Sequence, residues 1–387
     1  MMIREKLEKL YDIGSSKRVF QSEWRSEGVP FYRAREIAKL AIDDYVDNEL
    51  FIDEELYDSY VEKYGKPQPG DIMVTGVGTL GVCYIVKPDD KFYFKDGNIL
   101  WFKQKAPDRI LPEYLVKLFD SNDVREFISR NSSGTTVGTF TIQTAKKLEI
   151  NLPSLEEQKR IIQKLAKIEN IINNRKKELV LLDDCIKARF VEMFGDFESN
   201  SKQLEIETLG QLGFWSSGGT PSRTNPDYFT GDINWYSAGE LNSLFLDESV
   251  EKITKEAINN SAAKLFKAGS MLVGMYDTAA FKMGILKEDS ASNQACACIE
   301  PNERIDIVWL YYALTMMKNH YLSQRRGVRQ KNLNLGMIKG FKLPIAQKNE
   351  QLTFVSFVKQ IDKSKFNVNC RNLYSLCIRK VRGTLWP

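Results

Sequence analysis

The residues best suited to chemistry form a basic, amide-bearing run late in the chain: Arg325, Arg326, Arg329, Gln330 and Lys331. Arginine and lysine bind guanine edges or phosphates, and glutamine binds adenine. The run therefore predicts a loop that contacts DNA, against the alternative of a solvated basic turn.

The matching stretch of the first half, residues 131–139, carries no charge after Arg130. It offers the hydroxyl groups of Ser133, Thr135 and Thr136, which could donate hydrogen bonds to DNA, and a plain loop is the alternative. The contrast between the two stretches predicts that they contact different DNA sequences.

Smaller basic clusters are further candidates for DNA contact, and ordinary surface charge is an equally good interpretation of them. They are Lys17, Arg18, Arg33, Arg35 and Arg223.

Two motifs resemble enzyme signatures without completing them. Gly76, Gly78 and Gly81 have dinucleotide-fingerprint spacing, but a second β-type run follows them where the fingerprint needs a helix N-terminus. Asn225-Pro226-Asp227-Tyr228 resembles the catalytic tetrapeptide of amino-methyltransferases, but its third residue differs, and Asn-Pro commonly begins a turn. We expect no catalytic residues and no cofactor.

The composition argues against metal and membrane functions. The six cysteines form no CxxC pair and there is one histidine, so a zinc site is not expected. No apolar run is long enough to cross a bilayer, and the first residues lack the apolar core of a signal peptide. These features predict a cytoplasmic protein, and the net charge of +4 permits DNA binding without demanding it.

Residues 152–197 predict a long spacer helix that would position these groups. Apolar residues recur at spacings of four and three, as in a coiled-coil seam that Arg175 interrupts: Ile161, Leu165, Ile168, Ile172, Leu179, Leu182 and Ile186. Residues 343–387 repeat the pattern more loosely, with Val358, Ile361 and Leu376 in the seam. A core scaffold or an oligomerisation zipper is the general alternative.

The rest of the chain repeats in the same order. Residues 1–151 and 198–342 each combine short β-type runs with a helical stretch, at 112–130 and 305–322. The sequence therefore predicts an α+β protein in which two tandem α+β domains are separated by two long helices. Paired antiparallel, these helices would give a pseudo-twofold molecule suited to a divided DNA target.

This order resembles the specificity subunits of type I restriction-modification enzymes. The matching pieces are Leu152–Ile161 with its copy Leu343–Gln351, residues 217–222, and Gly70–Met73 with Gly76–Gly81. The resemblance implies two target recognition domains that read a bipartite, asymmetric sequence in double-stranded DNA. It also implies spacer helices that dock two methyltransferase subunits, with nuclease-translocase subunits able to join. A coiled-coil adaptor that binds only protein and a stand-alone DNA methyltransferase are the alternatives.

Overall fold

The computed structural model describes residues 3–132, 138–324 and 332–368. The chain divides into two compact units, one reaching Ile172 and the other beginning at Asn173. Each unit is described by itself.

The first unit is an α+β domain followed by the beginning of a long helix. Its elements are β1 Ile3–Lys6, α1 Leu7–Leu10, β2 Tyr11–Gly14, β3 Val29–Tyr32, α2 Ala34–Asp43, β4 Phe51–Ile52, α3 Glu54–Tyr64, β5 Ile72–Thr75, β6 Cys83–Ile85, β7 Tyr93–Phe94, β8 Ile99–Gln104, α4 Pro112–Phe119, α5 Asn122–Asn131, α6 Ile142–Lys147 and β9 Glu149–Leu152.

Three small sheets organise this domain. Their strand orders are β2-β8-β5-β6, β4-β3-β7 and β1-β9. The apolar face of the four-stranded sheet, with Ile72, Val74 and Phe102 fully buried, packs against Leu115 and Leu118 of α4. Because β5 and β8 are nearly continuous apolar runs, both faces of this sheet are covered.

The long helix α7 runs from Leu155 to Phe194, a length of 40 residues. Ile161 is buried in the core of the first unit, and Leu165 packs against the same core. The helix ends at Gly195, whose φ of +76° is the left-handed conformation that glycine adopts at little cost.

After the end of α7, the second unit repeats the strands of the first in the same order, while its helices differ in number and length. Its elements are β10 Glu205–Thr208, β11 Gly213–Ser217, β12 Ile233–Tyr236, β13 Glu251–Ile253, α8 Lys255–Asn259, β14 Met271–Gly274, β15 Met283–Ile285, β16 Ala291–Ser292, β17 Cys296–Pro301, α9 Ile307–Ser323, α10 Leu335–Gly340, β18 Lys342–Ile345 and α11 Lys348–Val368.

The sheets of the second unit have the same strand orders as those of the first: β11-β17-β14-β15, β13-β12-β16 and β10-β18. Registers agree as well, since Ile72 pairs with Ile85 and Met271 pairs with Ile285 in the matching hairpins. The predicted α+β fold and its tandem duplication are confirmed.

The two long helices are antiparallel where they meet within the second unit. Phe190 of α7 packs edge-on against Phe354 near the start of α11, with ring centroids 5.2 Å apart. One to two turns earlier in α7, Asp183 accepts from Lys365, which lies later in α11, at 2.6 Å. Ile186 and Val358 are fully buried in the same core, as a seam requires.

Two helix predictions need correction. The Leu-Pro pairs do not open the long helices: Leu152 ends β9, while Leu343 and Pro344 lie in β18, so the helices begin at Leu155 and Lys348. Proline is tolerated in β18 because a two-stranded sheet consists of edge strands.

The helical stretch predicted at 112–130 is broken into α4 and α5. Ser121 separates them because its hydroxyl accepts from the N–H of Val124 and caps α5. The matching stretch of the second unit is a single helix, α9.

Candidate nucleic-acid interface

The turn that follows β5 and the turn that follows β14 hold equivalent places in the two units. The N–H of Phe140 donates to the carbonyl of Gly76 at 2.9 Å, and the N–H of Leu333 donates to the carbonyl of Met275 at 2.8 Å. Phe140 and Leu333 lie just after the predicted DNA-contacting stretches. Each stretch therefore returns to its domain beside one of these turns.

Glycine fixes the shape of the first turn. A Cβ on Gly76 would lie 2.7 Å from Leu100 Cδ1 and 2.9 Å from the carbonyl oxygen of Phe140, so only glycine fits there. Gly78 and Gly81 have φ values of +71° and +76°. The glycines therefore form a tight link between β5 and β6, and the dinucleotide interpretation has no helix to support it.

A cleft of about 520 Å³ lies between this turn and α2 in the first unit. Arg33, Arg35 and Lys39 line it on one side, with Val77 and Thr79 opposite. Lys39 is exposed and forms no ion pair with any residue of the described ranges. The cleft thus places positive side chains next to the turn whose Gly76 carbonyl accepts from the N–H of Phe140.

The two arginines of the cleft are held by a buried carboxylate. Glu36 is 1% exposed and accepts from Arg33 Nη2 at 2.8 Å and from Arg35 Nε at 2.9 Å. Burial by itself raises the pKa of Glu36, but the hydrogen bonds from Arg33 and Arg35 outweigh burial and bring its pKa below the ordinary value. Arg35 also donates to Glu49 at 2.9 Å and stays half exposed, so its guanidinium is oriented at the rim of the cleft.

The second unit keeps the carboxylate and replaces the arginines. Glu240 accepts from the N–H of Ser237 at 2.8 Å, as Glu36 accepts from the N–H of Arg33 at 2.9 Å. Ser237 and Gly239 stand where the first unit has Arg33 and Arg35. The two units therefore share a scaffold at this place and differ in the charge that they present.

Family models and solved structures place this fold among known proteins. Residues 5–181 and 201–372 each match the model of the type I restriction modification DNA specificity domain. The chain belongs to this family.

Individual members of the specificity-domain family match parts of the chain. The EcoR124I/EcoR124II specificity subunit of Escherichia coli is 26% identical over 166 residues, which are 41% of each chain. A putative specificity subunit, S.HindORF215P of Haemophilus influenzae, is 30% identical over 191 residues, 48% of this chain and 46% of the relative. The chain thus spans about half the length of the curated relatives that it matches.

The fold is also that of a solved type I restriction-modification system S subunit from M. genitalium. The alignment covers 100% of this chain and 96% of the other, with a TM-score of 0.54 and 14% identity. At this identity the likeness concerns the fold.

The other basic residues predicted to contact DNA are engaged in separate contacts. Lys17 lies over the ring of Tyr64, with Nζ 5.1 Å from its centroid, and Arg18 pairs with Asp96 at 3.3 Å. Both stay exposed at the surface of the first unit.

Arg223 is tied into the second unit from two sides. It donates through Nη1 and Nη2 to the two carboxylate oxygens of Glu251, and its guanidinium lies 4.2 Å from the ring centroid of Phe229. The hydrogen bond with Glu251 raises the pKa of Arg223. This fits a structural ion pair better than a free phosphate contact.

Several predicted residues fall outside the described ranges. They are Ser133, Thr135, Thr136, Arg325, Arg326, Arg329, Gln330, Lys331 and Leu376. Their roles stay predictions.

The predicted helix seam follows the observed burial. Ile161, Ile172, Ile186 and Val358 are buried, and Leu165, Ile168, Leu179, Leu182 and Ile361 are half-buried. Val180, Leu181 and Val191 of α7 are exposed by 59%, 67% and 41%. Val180 and Val191 share a face of the helix, but the ion pair of Asp184 and Lys187 lies between them on that face, so the contiguous exposed apolar residues are the neighbours Val180 and Leu181.

The sequence contained signals of two features that the predictions missed. Tyr32-x-Ala34-x-Glu36 recurs as Tyr236-x-Ala238-x-Glu240, and it marks the capping carboxylates. Glu157-Gln158 recurs as Glu350-Gln351, and both glutamines are completely buried.

Proposed function

We propose that this chain is the DNA-recognition subunit of a type I restriction-modification enzyme. The observation that carries the proposal is that one domain fold occurs twice, with the same strand orders and with different surface charge at equivalent places. Two related domains that differ in surface chemistry suit a target made of two unlike half-sites.

Each unit reads one half-site in this proposal. In the first unit we assign DNA contact to residues 133–137, the turn at 76–82 and the basic cleft of α2. In the second unit we assign it to the basic residues of 325–331 and the turn at 275–282. Phosphate contacts by Lys39 and Arg35 add affinity, while side chains of the loops and turns distinguish bases.

The long helices bind the partners. The exposed apolar pair Val180 and Leu181 supports this assignment, since neighbouring apolar side chains exposed on a surface helix suit contact with another chain. We assign it to methyltransferase subunits, one for each half of the duplicated chain, and nuclease-translocase subunits join the assembly through them. The chain itself is non-catalytic and works in the cytoplasm, where its target DNA lies.

A gel-shift experiment with the co-purified methyltransferase tests the proposal. The complex should shift duplexes that contain its target and leave shuffled duplexes free, and methyl transfer should require both proteins. A coiled-coil adaptor would give no sequence-dependent shift. A stand-alone methyltransferase would transfer methyl groups without a partner.

A further inference from the structure

Two buried glutamines make the same hydrogen bonds at the start of the two long helices. Gln158 Oε1 accepts from the N–H of Leu111 at 2.9 Å, and Gln351 Oε1 accepts from the N–H of Asp306 at 2.8 Å. Leu111 precedes the first turn of α4 and Asp306 precedes that of α9. Each glutamine thus ties a long helix to the beginning of another helix of its own unit.

The amide nitrogens complete the correspondence. Gln158 Nε2 donates to the carbonyls of Arg109 at 2.8 Å and Pro153 at 2.9 Å. Gln351 Nε2 donates to the carbonyls of Arg304 at 3.2 Å and Ala346 at 2.8 Å. In both units, one of these carbonyls belongs to the residue two positions before the N-cap residue. The other belongs to the residue five positions before the glutamine.

A side chain that hydrogen-bonds to three backbone groups restricts the direction of its helix as well as the distance between the helix and those groups. Both glutamines are 0% exposed, so no water replaces their hydrogen bonds when the side chain is changed. An apolar contact tolerates a small rotation of the helix, whereas three hydrogen bonds from one planar amide do not.

The apolar support around the two glutamines differs. On α7, Ile161 is buried in the first unit's core, with Ile162 and Leu165 partly buried against it. On α11, Phe354, Val355 and Val358 are all buried in the second unit's core, with Phe357 and Ile361 packed against it. Among the described residues, the junction at Gln158 therefore has less apolar packing than the junction at Gln351.

We propose that Gln158 and Gln351 are positioning residues that fix the angle at which each long helix leaves its domain, and that Gln158 bears more of this task. The consequence for DNA rests on the proposed function. If the helix angle sets where a domain meets its half-site, loosening it relaxes the accepted distance between the half-sites.

Hydrogen exchange on the full chain tests the positioning role of Gln158 without DNA. Gln158→Met keeps the side-chain length and removes the polar atoms, and Gln163→Met is the matched control at an exposed position of the same helix. Exchange at Leu111 and in the first turns of α7 should rise at least tenfold in Gln158→Met and stay unchanged in the control. Unchanged exchange in Gln158→Met would overturn the proposal.

Methyl transfer by the reconstituted complex tests the consequence. The substrates are duplexes with the native distance between half-sites and with one base pair added or removed. Gln158→Met should reduce the preference for native spacing at least fivefold, and Gln351→Met should reduce it less than twofold. Equal loss of rate on all substrates would mean that Gln158 only stabilises the fold.

A substitute variant and a wild-type control distinguish failure of this inference from failure of the proposed function. Gln158→Asn, which is one methylene shorter, replaces Gln158→Met if that variant does not fold, and it should show the same changes in weaker form. A wild-type complex without sequence-dependent methyl transfer would refute the proposed function, while hydrogen exchange would still decide the role of the glutamine.

Discussion

Phe281 occupies in the second unit the backbone position that Gly81 occupies in the first. The N–H of Gly81 donates to the carbonyl of Thr75 at 2.9 Å, and the N–H of Phe281 donates to the carbonyl of Gly274 at 2.8 Å. Their φ values are +76° and +57°. The buried ring of Phe281, 5.3 Å from that of Tyr321, stabilises a conformation that costs a non-glycine residue about 1–3 kcal/mol.

We expect Gly81→Ala to destabilise the first unit more than Gly78→Ala. Both glycines have positive φ, but a Cβ on Gly81 would lie 2.7 Å from Ile128 Cδ1, whereas Gly78 has open space around it. Gly78→Ala should cost about 1 kcal/mol and Gly81→Ala about 2 kcal/mol or more. Thermal unfolding measures both, and equal midpoints would show that Ile128 moves aside freely.

Glu36→Gln should destabilise the protein in a pH-dependent manner. Because the pKa of Glu36 is lower in the folded chain than its ordinary value of 4.5, its ion pairs stabilise the fold above that pH. That stabilisation is lost as the pH falls through the lower, folded-state pKa. At neutral pH we expect a loss of about 1–3 kcal/mol.

The test is chemical denaturation of both proteins as the pH is lowered from about 6 to about 3.5. The difference in free energy of unfolding between wild type and Glu36→Gln should shrink over this range. Glu54→Gln is the control, since its ion pair with Lys91 is more than half exposed and solvent screens it. A difference that stays constant with pH would contradict the role given to Glu36.

Two substitutions in α7 should separate folding from partner binding. Ile186→Asp places a charge in the core of the second unit, where Ile186 is fully buried, and should cost about 3 kcal/mol or more. Val180→Asp changes an exposed position and should alter the free energy of unfolding by only about 0.5 kcal/mol.

Val180→Asp should nevertheless weaken binding of the methyltransferase subunit about tenfold or more, because it puts a charge in an apolar contact. Calorimetry with the purified partner measures this. Undiminished affinity would remove Val180 from the docking surface.

Arg329→Ala should weaken DNA binding and leave subunit assembly intact. If Arg329 contacts a phosphate, the slope of log K against log salt should fall by about 0.9. If it contacts a base, discrimination at one position should fall by about 1–3 kcal/mol. Lys287→Ala in the same unit, paired with Asp247, is the control. Unaltered affinity and sequence preference would refute the prediction.

The sequence was sufficient to predict the architecture because its strongest patterns are local and repeated. The spacing of Ile161, Leu165 and Ile168 predicts a long helix whatever surrounds it. The order of β-type runs before Leu152 and before Leu343 then revealed the duplication. The first turns of the helices were misplaced because Leu-Pro also suits the end of an edge strand.

The interface was harder to predict because it depends on contacts between distant residues. Basic residues close in sequence, such as Arg33 and Arg35, do not reveal that the carboxylate of Glu36 is buried and pairs with both of them. Likewise Arg223 pairs with Glu251, 28 residues later, and sequence spacing carries no trace of that pairing.

Methylation mapping tests the central claim most directly. DNA is sequenced from cells that carry this chain with its methyltransferase, and from cells that carry a chimera with residues 198–342 taken from a relative. We predict a two-part motif with a fixed gap, of which the chimera changes one half and keeps the other. A continuous motif, no motif, or a change in both halves would contradict the account.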